Sequence, residues 1–169
     1  INRTFDEVSV ESEETCSIAL SMNEITRAYY FQGLTKRQEK IRDLFIIGCL
    51  TGMRYSDYST LTYENIQNGI IVKKTKKTGV TIHVPIHEYI IEIIDKYGGT
   101  MPTGISVQHF NRVLKTIFKK MGFDNTVSFT RTVGHDVVMQ SYKEWEIISS
   151  HTARRSFATN AYNSGRMKT

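Results

Sequence analysis

Between Ile41 and Leu50 the chain carries an apolar pattern that leaves a helix few places to go. Ile41, Leu44, Phe45 and Gly48 fall at i, i+3, i+4 and i+7, the spacing of one helix face. Ile46, Ile47 and Leu50 widen that stripe over much of the circumference. A helix apolar on so many sides belongs in the middle of a core. Thr35 stands where a cap would start it. Thr51-Gly52 stops it, because glycine accepts the left-handed conformation that closes a helix. The longest unbroken apolar run, Leu44 to Leu50, is far short of the roughly 18 residues of a membrane span. A globular domain with no membrane partner is the expected setting.

The other elements arrange themselves around this helix. Ser21-Met22-Asn23-Glu24 has the Ser-x-x-Glu form of a capping box and predicts a helix through about Tyr29. A helix is expected from near Met53 to Leu61. Ile70–Val72 and Thr81–Val84 read as two strands of a hairpin whose tip is rich in lysine. Ile90, Ile91, Ile93, Ile94 and Tyr97 mark a helix stopped by Gly98-Gly99. Ser106 is placed to cap another, with Phe110, Leu114, Ile117, Phe118 and Met121 on its apolar face and Gly122 at its end. Its opposite face carries Arg112, Lys115 and Lys119, most simply a solvated surface. Val127 to Tyr142 predicts a second hairpin turning at Gly134-His135-Asp136. Ser149 or Ser150 caps a last helix from His151 to about Asn163. The fold class expected is mainly α with small antiparallel β-hairpins, an α+β arrangement. No segment repeats internally.

Composition narrows the partners. The 169 residues suit one domain, and 40% hydrophobic content is enough for one core. The net charge is +5, compatible with a polyanion but not diagnostic of one. Its distribution says more. Glu11, Glu13 and Glu14 make the start acidic, while bases gather at Lys73–Lys77, Arg112–Lys120 and Arg154-Arg155. Cys16 and Cys49 stand in no metal-type spacing, and Cys49 lies in the apolar run, so a buried free thiol is expected there. Asp43, Asp57, Glu64 and Asp136 are scattered, which argues against a metal-dependent nuclease; no cofactor or metal is expected.

Three constellations carry chemistry. In Thr51-Gly52-Met53-Arg54-Tyr55-Ser56-Asp57 an arginine follows a helix-breaking glycine and would sit in the first turn of the next helix. The dipole disfavours a cation there unless an anion joins it. Arg54 is thus either poised for a phosphate or paired with Asp57. In Lys73-Lys74-Thr75-Lys76-Lys77-Thr78-Gly79 four lysines crowd one turn. They suit a phosphate backbone, or equally a solubilising loop. In Ser150-His151-Thr152-Ala153-Arg154-Arg155, His151 and Arg154 are three apart and share a helix face. Arg154 is also in register with Phe157, Ala158 and Ala161, which reads as the buried line. It is then either a core arginine paired with a carboxylate or half of a phosphoryl clamp with a proton-carrying histidine.

Taken in order, the three segments resemble the tyrosine recombinases of the phage-integrase type. That family has an arginine in a TGxR turn, a lysine on a β-hairpin and an HxxR helix. Thr51-Gly52-Met53-Arg54, Lys77-Thr78-Gly79-Val80 before Val84-Pro85, and His151-Thr152-Ala153-Arg154 match them, over roughly Ser21 to Thr169. The hairpin before the last motif is most similar to integrases of conjugative transposons and related mobile elements.

The resemblance implies the catalytic-domain fold of DNA breaking and rejoining enzymes, and roles residue by residue. Arg54 and Arg154 would hold the non-bridging oxygens of the scissile phosphate, each guanidinium pairing two oxygens at once. Lys77, chosen over Lys76 because it directly precedes Thr-Gly, would protonate the leaving 5′ oxygen. His151 would assist proton transfer at the nucleophile. A tyrosine would form a 3′-phosphotyrosyl link, with double-stranded DNA and other recombinase subunits, four in all, as partners, in the bacterial cytoplasm. Residues 1–20 would be the linker from an amino-terminal core-binding domain, and 21–169 a catalytic domain cut off before its tyrosine, inactive in cleavage alone. Gly134-His135 comes too early for the family's Gly-His motif, and Tyr162 lies too close to Arg154 for the nucleophile. The competing expectation is a non-catalytic DNA-binding module.

Overall fold

The computed structural model describes residues 17–133 and 136–165, with the side chains of that range other than 131–137. Its elements run α1 (Met22–Tyr30), α2 (Lys36–Thr51), α3 (Tyr55–Tyr58), a 3-10 turn (Tyr63–Asn65), β1 (Ile66–Gln67), β2 (Ile70–Lys74) and β3 (Thr81–Pro85). Then follow α4 (Glu88–Lys96), α5 (Val107–Lys120), β4 (Thr126–Val133), β5 (Asp136–Lys143), α6 (Glu144–Ile147) and α7 (Ser150–Asn163). β1, β2 and β3 form one antiparallel sheet, with Ile71 opposite Val84 and Val72 opposite His83. β4 and β5 form a separate ribbon in which Ser128 faces Ser141, their hydroxyls 2.8 Å apart.

α2 is the axis of the molecule. Thr35 caps it with a reciprocal box through Gln38, and Gly52 ends it at φ 65°. Every residue from Ile41 to Thr51 is buried, two charged ones included. α5 lays Phe110, Leu114, Ile117 and Phe118 against this core, Phe118 meeting Phe45 and Phe123 edge-on. Cys49 is a buried free thiol, and burial pushes it well above the ordinary thiol range. The two buried charges of α2 close a network. The Arg42 guanidinium donates to the last carbonyls of α1 (Tyr29 at 2.6 Å, Phe31 at 3.0 Å) and to Asp43 at 2.7 Å. Asp43 also accepts from Lys96 and from the Tyr97 hydroxyl, each at 2.9 Å. α1, α2 and α4 are thus fastened by groups that neutralise each other; removing one partner of such a set costs about 3–5 kcal/mol.

Two expectations need correction. The helix after Gly52 is four residues long, not nine, and Arg54 is its N-cap with extended backbone (φ −73°, ψ 154°). Thr60 stops it: the hydroxyl donates to the carbonyls of Ser56 and Asp57, at 3.1 and 3.2 Å, which competes with further helix. In α7 the buried residues are Ser150, Thr152, Ala153 and Ser156, so Arg154 is exposed and the buried line through Phe157, Ala158 and Ala161 is not the observed one. The second hairpin is present as β4 and β5; its turn residues Gly134 and His135, like Cys16, lie outside the described residues.

Candidate functional site

The three constellations are linked through the end of α2 and through α3. Gly52, two residues before Arg54, abuts Phe157, three residues after Arg154; a β-carbon at Gly52 would come within 2.4 Å of that ring. One turn earlier, Gly48 meets the Tyr58 ring and Ala153, at 2.7 and 3.0 Å by the same measure. α7 therefore lies against the end of α2 with almost no side chain between them. On the other side, the Asp57 carboxylate accepts from the backbone N–H of Lys76 at 2.8 Å. That bond ties the lysine turn to α3.

The turn is built to stay put. Thr75 is 7% exposed. Its N–H donates to the Val80 carbonyl at 2.9 Å, its hydroxyl meets that of Thr78 at 2.8 Å, and Gly79 closes the turn at φ 68°. Lys73 is drawn to the Thr60 carbonyl at 2.8 Å. Lys76 and Lys77 are exposed. The first turn of α7 is held in the same way. Ser149 and Thr152 cap it reciprocally, and Asn111 of α5 accepts from the Ser150 N–H at 2.8 Å. His151 and Arg154 project from that turn and are exposed.

The four predicted residues are thus on three segments that touch α3 or the end of α2. Among the described residues, Arg54, Lys77, His151 and Arg154 make no side-chain hydrogen bond or ion pair with one another or with any other group. The pairing of Arg54 with Asp57 is excluded, because one oxygen of Asp57 serves Lys76 and the other is buried without a partner. The core-arginine alternative for Arg154 fails with its exposure. What remains is three cations, Arg54, Lys77 and Arg154, with no carboxylate among the described residues to cancel them, the condition for gripping an anion.

Asp57 is a residue whose part the sequence did not disclose. It is 1% exposed and braces the lysine turn from behind. Its position five residues past Gly52 suggested only a partner for Arg54. Tyr55 was missed as well: its hydroxyl donates to the Ile105 carbonyl at 2.7 Å and accepts from the Ile105 N–H at 3.1 Å, locking α3 to the start of α5.

Comparison with known proteins bears on the family and the fold. The phage integrase family matches residues 20–167. No curated protein matches the chain in sequence. Among solved structures, the lambda integrase catalytic core is similar with a TM-score of 0.56 and 18% identity, over 86% of this chain and 84% of that one. The XerH site-specific recombinase bound to difH substrate, a pre-cleavage complex, gives 0.61 and 16%, over 88% of this chain and 44% of that one. A lambda integrase (75–356) dimer bound to a COC′ core site gives 0.56 and 18%, over 88% and 53%. The chain spans about half the length of the latter two. With the family matched along nearly its whole length and the fold shared with integrases and recombinases, the chain belongs to the phage integrase family, the tyrosine recombinases.

Proposed function

We propose that this chain holds a phosphodiester of duplex DNA for strand cleavage and rejoining in site-specific recombination or integration. What supports the reading is that Arg54, Lys77 and Arg154, with His151 on the same helix as Arg154, have no partner among the described residues and stand on three segments that touch α3 or the end of α2. Arg54 and Arg154 bind the non-bridging oxygens and offset the charge that builds up in the transition state. Lys77 supplies the proton to the leaving 5′ oxygen, and the Asp57 bond to its neighbour Lys76 keeps the turn in place. His151 moves a proton at the attacking group. None of the four is itself the nucleophile; in this reading a tyrosine attacks and carries the 3′-phosphotyrosyl link. The partners are double-stranded DNA and further subunits seated on it. Among the described residues, no helix is long and apolar enough to cross a membrane.

Duplex binding tests the reading. The chain should bind weakly and with a steep dependence on salt. R54A and R154A should each weaken it about tenfold or more, and R54K should fail to restore it, because lysine cannot present the planar fork. Binding indifferent to both arginines would sink the assignment. A nicked suicide duplex tests the nucleophile. No covalent adduct is expected, since Tyr162 shares a helix with Arg154 and the Tyr142 hydroxyl is engaged with Gln140. An adduct lost in Y162F or Y142F would overturn that.

A further inference from the structure

α2 and α5 also meet near their first turns, at the end of α2 opposite to Gly52 and Arg54. There His109 of α5 stands between two guanidiniums. Arg37 of α2 places Nη2 2.7 Å from its Nε2, and Arg112 of α5 places Nη2 2.7 Å from its Nδ1. This cannot be a satisfied arrangement. Every guanidinium nitrogen is a donor, and a neutral imidazole has one acceptor nitrogen only. On whichever side the ring N–H lies, two donors face each other. Protonating the ring makes both sides donor against donor.

Nothing nearby balances the charge. Among the described residues neither Arg37 nor Arg112 has a carboxylate partner. The one acid in the first residues of α2, Glu39, pairs with Lys96 at 3.5 Å. α5 has no acidic residue in its 14 positions, yet carries Arg112, Lys115, Lys119 and Lys120 besides His109. Lys40 reaches the Thr103 hydroxyl at 2.9 Å, adding another cation held by a neutral group. The helix dipoles also disfavour positive charge in first turns. A cluster with so many uncompensated donors is completed by an anion with several acceptor oxygens.

We infer that Arg37, His109 and Arg112 form a second phosphate clamp, which grips a backbone phosphodiester of duplex DNA and takes up a proton on His109 as it does so. This rests on the proposed function, which supplies the duplex, but uses none of the same side chains. The clamp is connected to the first site through the backbone: Ile105, just before α5, is held by Tyr55, the neighbour of Arg54. A phosphate set between the two arginines accepts from both and from the ring, so imidazolium becomes the favoured form. In the free protein desolvation, then Arg37, then Arg112 hold His109 below the ordinary histidine range. Those two arginines are the charged groups that face it among the described residues, one from α2 and one from α5. Binding therefore consumes a proton, and affinity should rise as pH falls through the interval between the free and the bound value.

The test is duplex affinity at several salt concentrations and pH values, for the chain as it stands and for R37A/R112A and H109Q. The arginine pair is exposed, so folding should survive; circular dichroism checks it. The expected result is affinity about tenfold weaker in R37A/R112A, with the slope of log Kd against log salt reduced by about one, as for one lost phosphate. H109Q should flatten the pH dependence between about 5 and 7. An unchanged slope in R37A/R112A together with normal binding by the parent chain overturns the clamp and leaves the proposed function standing. Failure of the parent chain to bind any duplex overturns both. Inorganic phosphate is the control, followed by the His109 ring resonances: if it saturates the cluster as tightly as an equal concentration of duplex phosphate, the site is one for free anion and the duplex assignment falls.

Discussion

Asp57 shows how one buried carboxylate can order a loop that is otherwise all positive charge. One oxygen accepts the Lys76 N–H at 2.8 Å; the other is buried without a partner. Alanine at this position removes the brace and leaves a backbone donor without its acceptor, a cost of about 1–3 kcal/mol. Asparagine keeps the accepting oxygen. D57A should therefore lose about that much stability in urea and speed amide exchange at Lys76, with D57N closer to the parent on both counts. Equal loss in the two variants would mean that charge, not the hydrogen bond, does the bracing. The carboxylate's presence was plain in the sequence, three residues past Arg54, but its direction was not. Two donors lay within reach of that spacing, the Arg54 guanidinium and the lysine turn, and only the folded course of β2 and β3 selects the second. Arg54 was expected in the first turn of the next helix and stands instead one residue before it, as its N-cap.

At the scale of elements, the long apolar segments were the readable part and the contact between α2 and α7 was not. Ile41–Leu50 and the Phe110–Met121 face announce themselves by period, because burial there is bought with large apolar groups. α7 is different: it presents Thr152, Ala153 and Ser156 to α2, small residues that carry no hydrophobic signal. They are buried because Gly48 and Gly52 let the helices come close, and that closeness turns Arg154 outward. Gly48→Ala decides between two effects of opposite sign. Alanine gains about 1 kcal/mol over glycine within a helix. Its β-carbon, however, would stand 2.7 Å from the Tyr58 ring and 3.0 Å from Ala153. Tyr58 is 1% exposed and has no room to yield, and overpacking costs about 1–3 kcal/mol. G48A should lower the urea midpoint and, by shifting α3, weaken duplex binding as well. A more stable G48A would show that the helices are not in close contact there.

For the molecule as a whole, the described residues before α1 tie the start of the fold to its last helix. Residues 1–20 were expected to be a linker; the described end of that segment, the strap Ser17 to Leu20, is pinned to α7. The buried Leu20 N–H donates to the Ser156 hydroxyl at 2.8 Å, its carbonyl accepts from Asn160 at 2.9 Å, and Arg155 donates to Ser17. Nothing local in the sequence marks these bonds, since their partners are separated by 136 and 140 positions. They hold the helix that bears His151 and Arg154, so a pull on this segment reaches that helix directly. Ser156→Ala isolates the effect. It leaves the Leu20 N–H buried and unpaired, at about 1–3 kcal/mol, while Asn160 still holds the carbonyl. If the strap opens as a unit of its own, exchange of the Leu20 amide should speed by about tenfold or more, with amides near Ile46 in α2 changing only as far as global stability does. Equal acceleration at both would mean that strap and core open together, and no change at either would mean that the Ser156 bond holds nothing.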